Sequence, residues 1–264
     1  MTLVTLRGYA STATMAATAY TGDSPLFVID YLLRLLRVLV LFSLWRIILR
    51  GRGPVDGITL DALLTYTLIA EVFADQFACR TELDTSLWEG SVAVRFLQPV
   101  NIVGQYTADM VGRWAFTACT FSIPLLLLAP LLGVHRAPAS LSAGIAFVVS
   151  LLLGISVGLA MEFIFGSLLV ALDQPVWLIR NLRVAVGALL SGMLVPLAIL
   201  PWGIGAVFAW LPFAATASTP LRIYNGTGDP VPLMLLQLSW AALLWPLAGW
   251  MWASTREKLV GYGG

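Results

Sequence analysis

Six stretches of the chain are apolar for long enough to cross a bilayer as helices, at about residues 28–49, 60–79, 107–131, 141–170, 183–200 and 233–253. Crossing the hydrocarbon takes roughly 20 apolar residues, because lipid leaves every backbone amide and carbonyl to be satisfied within the segment. Polar stretches separate these runs: "RGRGPVDGIT", residues 80–106, "GVHRAPAS", "DQPVWLIRN" and the Pro-rich stretch 201–232. The pattern predicts an all-α integral membrane protein with six transmembrane helices. Ahead of the first run, Leu3, Leu6, Ala10, Ala13, Ala17 and Tyr20 recur at steps of three and four, one weakly apolar helix face. Residues 1–25 therefore read as a short helix in the membrane interface or as a disordered tail, and are too polar for a cleaved signal peptide.

Two runs depart from simple crossings. From Leu141 to Leu172 the only charge is Glu162. At 1.5 Å per residue that run measures roughly 48 Å against a hydrocarbon core of about 30 Å, so it must tilt, break or project. Ser150, Gly154 and Gly158 stand four apart along it, a small-residue ridge that admits a neighbouring backbone. After the fifth run, Gly192, Pro196, Pro201 and Pro212 punctuate "GIGAVFAWL", which is apolar but too short to cross. Residues 201–220 then either enter the membrane and return, a short re-entrant hairpin tolerated only under cover of protein or water, or form a Pro-rich outer loop.

Composition agrees with lipid as the solvent. Hydrophobic residues make up 59% and charged residues 11%, against about 45–50% and 25% in soluble domains, so residues 1–264 read as a single transmembrane domain. A net charge of +1 without charge runs gives no reason to expect nucleic acid. Cys79 and Cys119 fall within or beside apolar runs and read as small hydrophobes rather than a disulfide. With the amino terminus in the cytoplasm, the inner segments hold Arg7, Arg80, Arg95, Arg180, Arg183, Arg256 and Lys258, and the outer ones Arg50, Arg52, Arg136 and Arg222. That orientation obeys the positive-inside rule.

Glu71 and Asp75 lie one turn apart in the second run and share a face. A charge near the bilayer centre costs roughly 2.5–3.5 kcal/mol, so these acids call for partners. Arg34 and Arg37, spaced three apart in the first run, are the candidates. Glu162 is the other deep charge. Asp109 and Arg113, four apart at the start of the third run, form an expected intrahelical pair. The acids serve either as a proton relay or substrate contact, or as ion pairs that orient helices. The first option makes the chain an ion-gradient carrier using Glu71, Asp75 and Glu162, though no internal repeat of broken helices supports it. A nucleotide-binding P-loop needs a lysine before Ser or Thr, and the only lysine, Lys258, stands between Glu257 and Leu259. With His135 the sole histidine, neither a zinc cluster nor a Ser-His-Asp triad can be assembled.

Three segments carry a family resemblance. "EGSVAVRFLQPVN" places Gly90 and Pro99 at the ends of a Gly-x8-Pro element. "LSGMLVPLAILPWGIGAVFAWLPF" sets Gly192 and Pro196 ahead of a hairpin containing Pro201 and Pro212, and "WASTREKLVGYGG" is a Trp-containing basic tail ending in Gly-Gly. In these the chain resembles the type-2 export permeases of the ATP-binding-cassette (ABC) superfamily, specifically a bacterial subgroup of about this length. The subgroup's usual Leu-Leu-Arg-Pro is here Phe96, Leu97, Gln98 and Pro99. The resemblance implies a permease of the bacterial cytoplasmic membrane with both termini inside and no cofactor or ATPase site of its own. ATP and magnesium belong to a separate ABC ATPase, and a second copy or a similar permease completes a homodimer or heterodimer. Residues 80–106 would hold the segment that docks on the ATPase, through Trp88, Glu89, Gly90, Arg95, Phe96, Gln98 and Pro99. The stretch from Gly192 to Pro212 would be the outer gate. Glu71, Asp75, Arg113 and Glu162, read from the residues themselves, are candidates either for the translocation path or for structural charge within the membrane. Without the resemblance, residues 80–99 read equally as a solvated loop whose tryptophan rests on the membrane.

Overall fold

The computed structural model describes residues 3–22, 26–50, 58–98, 100–172 and 175–261, which are helical almost throughout. The first helices are α1 (Leu3–Gly22), α2 (Leu26–Ile48), α3 (Leu60–Val72), α4 (Ala74–Ala78), α5 (Leu83–Trp88) and α6 (Val92–Phe96). Then come α7 (Ile102–Thr117) and α8 (Ile123–Leu128), joined by one π turn, and α9 (Leu141–Leu172) and α10 (Val176–Leu190). The chain closes with α11 (Ile204–Phe208), α12 (Pro212–Thr216), α13 (Ser218–Tyr224) and α14 (Pro230–Gly261).

Three helical segments are long and apolar enough to cross a membrane: Ile102–Leu128, Leu141–Leu172 and Pro230–Thr255. The other apolar runs fall short for local reasons. Every long window of α2 contains Arg34 and Arg37 together with Asp30 or Arg46. The second run breaks at Phe73, whose φ of −105° and ψ of 20° separate α3 from α4. The fifth helix starts at Val176, earlier than the predicted 183, because the extended Pro175 pre-sets its entry. It ends at Leu190 rather than 200, since Gly192 follows with a φ of 72° and a left-handed residue closes a helix.

α9 is the hub. It is unbroken: beyond Gly158, Met161 packs with Leu244 and Phe163 with Ala248 of α14, and Gly166 lies against Leu83 of the polar segment. The small-residue ridge seats three neighbours. Ser150 exchanges hydrogen bonds with the buried Gln237 of α14, whose amide also donates to the Ala215 carbonyl at 2.7 Å. Gly154 faces the α12 backbone, and Gly158 faces Cys79, to which an added Cβ would come within 2.7 Å. α2 lies antiparallel to α3, with Val38, Phe42, Trp45 and Leu49 packed on Leu63, Leu64, Leu68 and Val72. Its other face leaves Ile29, Leu32, Leu36, Val40, Leu44 and Ile47 exposed, an apolar stripe along the helix. The first segment forms a helix, and α1 lies on α7 where Tyr9 covers Gly104 and the Ala13 backbone touches Gly112. Small residues on both sides permit that approach.

Candidate functional site

Arginine–carboxylate pairs tie one end of the helices together. Arg34 grips Asp75 with two bonds of 3.2 and 3.3 Å and also reaches Asp30 at 3.0 Å, while Arg37 pairs with the buried Glu71. Both expected partnerships between the first two runs are present. The geometry follows from spacing: residues three apart on α2 face residues four apart on the antiparallel stretch α3–α4.

Glu162, buried on α9, holds three elements at once. One carboxylate oxygen accepts from the Thr81 amide and hydroxyl, both at 2.8 Å, and the other meets the Arg183 guanidinium. Arg183, on α10, also donates to the carbonyls of Ala78 and Cys79 at 3.3 and 3.2 Å. It thereby caps α4, a favourable place for a cation. Arg183 is a residue that sequence reasoning missed, although an arginine inside an apolar run with no local acid is itself a sign of a buried partner.

The expected Asp109–Arg113 pair does not form. Asp109 pairs with Arg95 at 2.6 Å, and Arg113 pairs with Glu82 and donates to the Arg80 carbonyl. Tertiary partners displace the i,i+4 contact, which is weak on its own, and Asp109, 15% exposed, is sheltered with Arg95.

The polar segment is a hairpin of two short helices. Gly90, with a φ of 71°, makes the turn between α5 and α6. Trp88, Glu89 and Gln98 are exposed, as are Val94 and Leu97, and Phe96 is half-buried. Arg95 turns inward, its guanidinium 4.3 Å from the Tyr106 ring centroid, so it braces the hairpin instead of presenting charge. Pro99 lies outside the described residues. From below, Leu83 and Val92 are buried and Arg180 reaches Asp84 at 3.6 Å.

At the other end, Pro196, Pro201 and Pro212 each open a short helical turn. The segment from 197 to 216 is a series of such turns, exposed at Val207 and Trp210 and buried against α9 only at its end, through Ala214, Ala215 and Thr216. Gly192 stands where a backbone strip divides two hollows. Tyr66 donates its hydroxyl to the Gly192 carbonyl at 2.7 Å, and Ser218 donates its amide to the Ser191 carbonyl at 2.9 Å. Inside the strip, a charged cavity of about 490 Å³ adjoins a slot of about 220 Å³ reaching Ser191 and Leu194. Outside it, a cavity of about 580 Å³ is lined by Pro196, Leu197, Trp210 and Arg222. Tyr66 was not legible as a site residue, since nothing local distinguishes it from a core aromatic.

The model of the ABC-2 family transporter protein matches residues 35–263. The chain belongs to the ABC-2 transporter family. No curated protein and no solved structure matches it. ABC-2 membership, together with the three long apolar segments, makes this a multi-pass membrane protein and the membrane component of an ABC transport system. It also implies an ABC ATPase as partner.

Proposed function

We infer that the chain is the permease subunit of an ABC exporter in the bacterial cytoplasmic membrane, driven by ATP and magnesium bound in a separate ATPase. In this reading α2, the α3–α4 stretch and α10 also cross the membrane. That gives six spans, cytoplasmic termini, α1 along the inner interface and residues 201–220 as a re-entrant segment. A second permease, identical or similar, faces the charged cavity and closes it from lipid, where unshielded charge is costly.

The observation that carries the proposal is the attachment of the α5–α6 hairpin. Its outer side offers Trp88 and Leu97, 75% and 84% exposed, with Glu89 between charge and turn; an aromatic anchor with flanking charge suits a protein contact. Its inner side is fixed through Thr81 to Glu162, and thence to Arg183 on α10. α10 runs directly to the strip at Gly192. Closure of the ATPase pair would shift the hairpin, and the Glu162 junction would carry that shift to the strip, favouring an outward-open population. The three acids offered for a proton-driven carrier are each paired with an arginine, which favours the orienting role over the relay. Affinity capture of the tagged full chain tests the proposal. It brings down an ABC ATPase, and Trp88→Ala combined with Glu89→Lys sharply reduces that recovery without lowering permease abundance. Undiminished recovery would remove the hairpin from the docking surface.

A further inference from the structure

We propose that the charged cavity and the slot beside it form one binding site for an amphiphilic anion, a phosphate or carboxylate head on a single apolar tail. The proposal rests on the permease reading and names its substrate class. The two hollows share Arg37, Ala78, Arg80 and Met193 in their walls, so they are continuous. Their chemistry differs along the length. The larger, between α2, α4, α7 and α10, is walled by Arg34, Arg37, Arg80, Arg113 and Arg180 against Asp30, Asp75 and Glu82. Glu71 and Asp84, the partners of Arg37 and Arg180, do not line it. The void therefore meets five guanidinium groups against three carboxylates, and it is these exposed donors, rather than a net charge, that suit an anionic head.

Arg80 stands where the two hollows meet. Among the described residues its guanidinium has no carboxylate partner, while the other four arginines each have one. A head group bound there would meet Arg80 first, with Arg37 and Arg113 in the same wall. The slot runs away from this point between α9, α10 and the strip, with Phe77, Met161, Val184, Ala188, Leu194 and Phe213 as its surface. That mainly apolar lining accepts a hydrocarbon tail, and its polar members, Arg183, Ser191 and Thr216, already bond within the protein, to Glu162, to the Met193 amide and to the Phe213 carbonyl. Together the hollows measure about 490 and 220 Å³, within the usual range of about 300–1,000 Å³ for small-molecule sites. Gly187 lines the slot, and an added Cβ there meets no atom within 4 Å, so a side chain can start from this position without disturbing the helix.

The test is native mass spectrometry of the purified full chain after incubation with equal concentrations of dodecyl phosphate, dodecyltrimethylammonium or inorganic phosphate. Dodecyl phosphate is expected to remain bound at one per chain, with the other two retained at background. Arg80→Gln and, separately, Gly187→Leu should each weaken retention by roughly tenfold, the loss of one charge-assisted contact or of tail burial. Equal retention of the cationic amphiphile overturns the charge assignment. Equal retention of inorganic phosphate, or wild-type retention by both variants, overturns the two-part site. This measurement needs no ATPase, so its failure leaves the transport reading intact. Probe binding without any ATP-driven transport by the assembled complex would instead overturn that reading and spare the site.

Discussion

Removing the carboxylate of Glu162 should both destabilise the bundle and disconnect the hairpin from α10. The side chains of Glu162 and Arg183 are 6% and 17% exposed, and removing one partner of a buried pair costs about 3–5 kcal/mol. Arg183 keeps the Ala78 and Cys79 carbonyls, so Glu162→Ala belongs near the lower end, at about 3 kcal/mol. Glu162→Gln retains an oxygen for Thr81 and loses chiefly the charge, so about half that penalty is expected. Arg183→Met removes the cation that the carboxylate needs, and the double variant Glu162→Gln with Arg183→Met buries no unpaired charge. A double-mutant cycle measured by unfolding of the purified chain should therefore return a coupling of about 1.5–3 kcal/mol. In the assembled complex Glu162→Gln should still bind the ATPase but move less substrate per ATP. Additive single-variant effects, with coupling below about 0.5 kcal/mol, would refute the junction.

Other consequences follow from single residues. Gly192→Ala places a side chain at a φ of 72° with Leu197 within 2.8 Å, which should cost more than about 2 kcal/mol and show as a lowered Tm. Tyr66→Phe leaves the Gly192 carbonyl without its donor, a loss of about 1–2 kcal/mol, and should let an impermeant thiol reagent reach Ser191→Cys from the outer side. Arg95→Met loses both Asp109 and the Tyr106 ring, worth together about 2 kcal/mol, and should loosen the hairpin as read by limited proteolysis. Gly90→Ala, at a φ of 71° in open space, should cost about 1–2 kcal/mol while leaving the bundle's Tm nearly unchanged.

Apolar run length made the all-helical character and three long apolar segments legible, because backbone satisfaction in lipid ties run length to helix. The pairing of Arg34 and Arg37 with Asp75 and Glu71 was legible for the same reason: costly charges at matching spacings must meet. The break at Phe73 was not, since no glycine or proline marks it; it depends on tertiary packing, with Phe73 seated against Phe77 and Phe147. Asp109 and Arg113 misled because a local spacing rule competes poorly with partners from other elements, here Arg95 and Glu82. Arg183 was counted only as a charge near a span end, yet its location in an apolar stretch with Glu162 as an unassigned deep acid held the clue. The hairpin's exposed Trp88 was anticipated, whereas the inward turn of Arg95 was not, because the Tyr106 face that receives it lies on another helix.

The central claim is that the α5–α6 hairpin faces the cytoplasm, where an ATPase can reach it. Cys79 is buried and Cys119 exposed, so Cys119→Ser gives a background in which Trp88→Cys or Trp202→Cys supplies the only accessible thiol among the described residues. An impermeant maleimide should label position 88 only in inside-out vesicles and position 202 only in intact spheroplasts. Labelling of position 88 from the outside of intact cells would contradict the account.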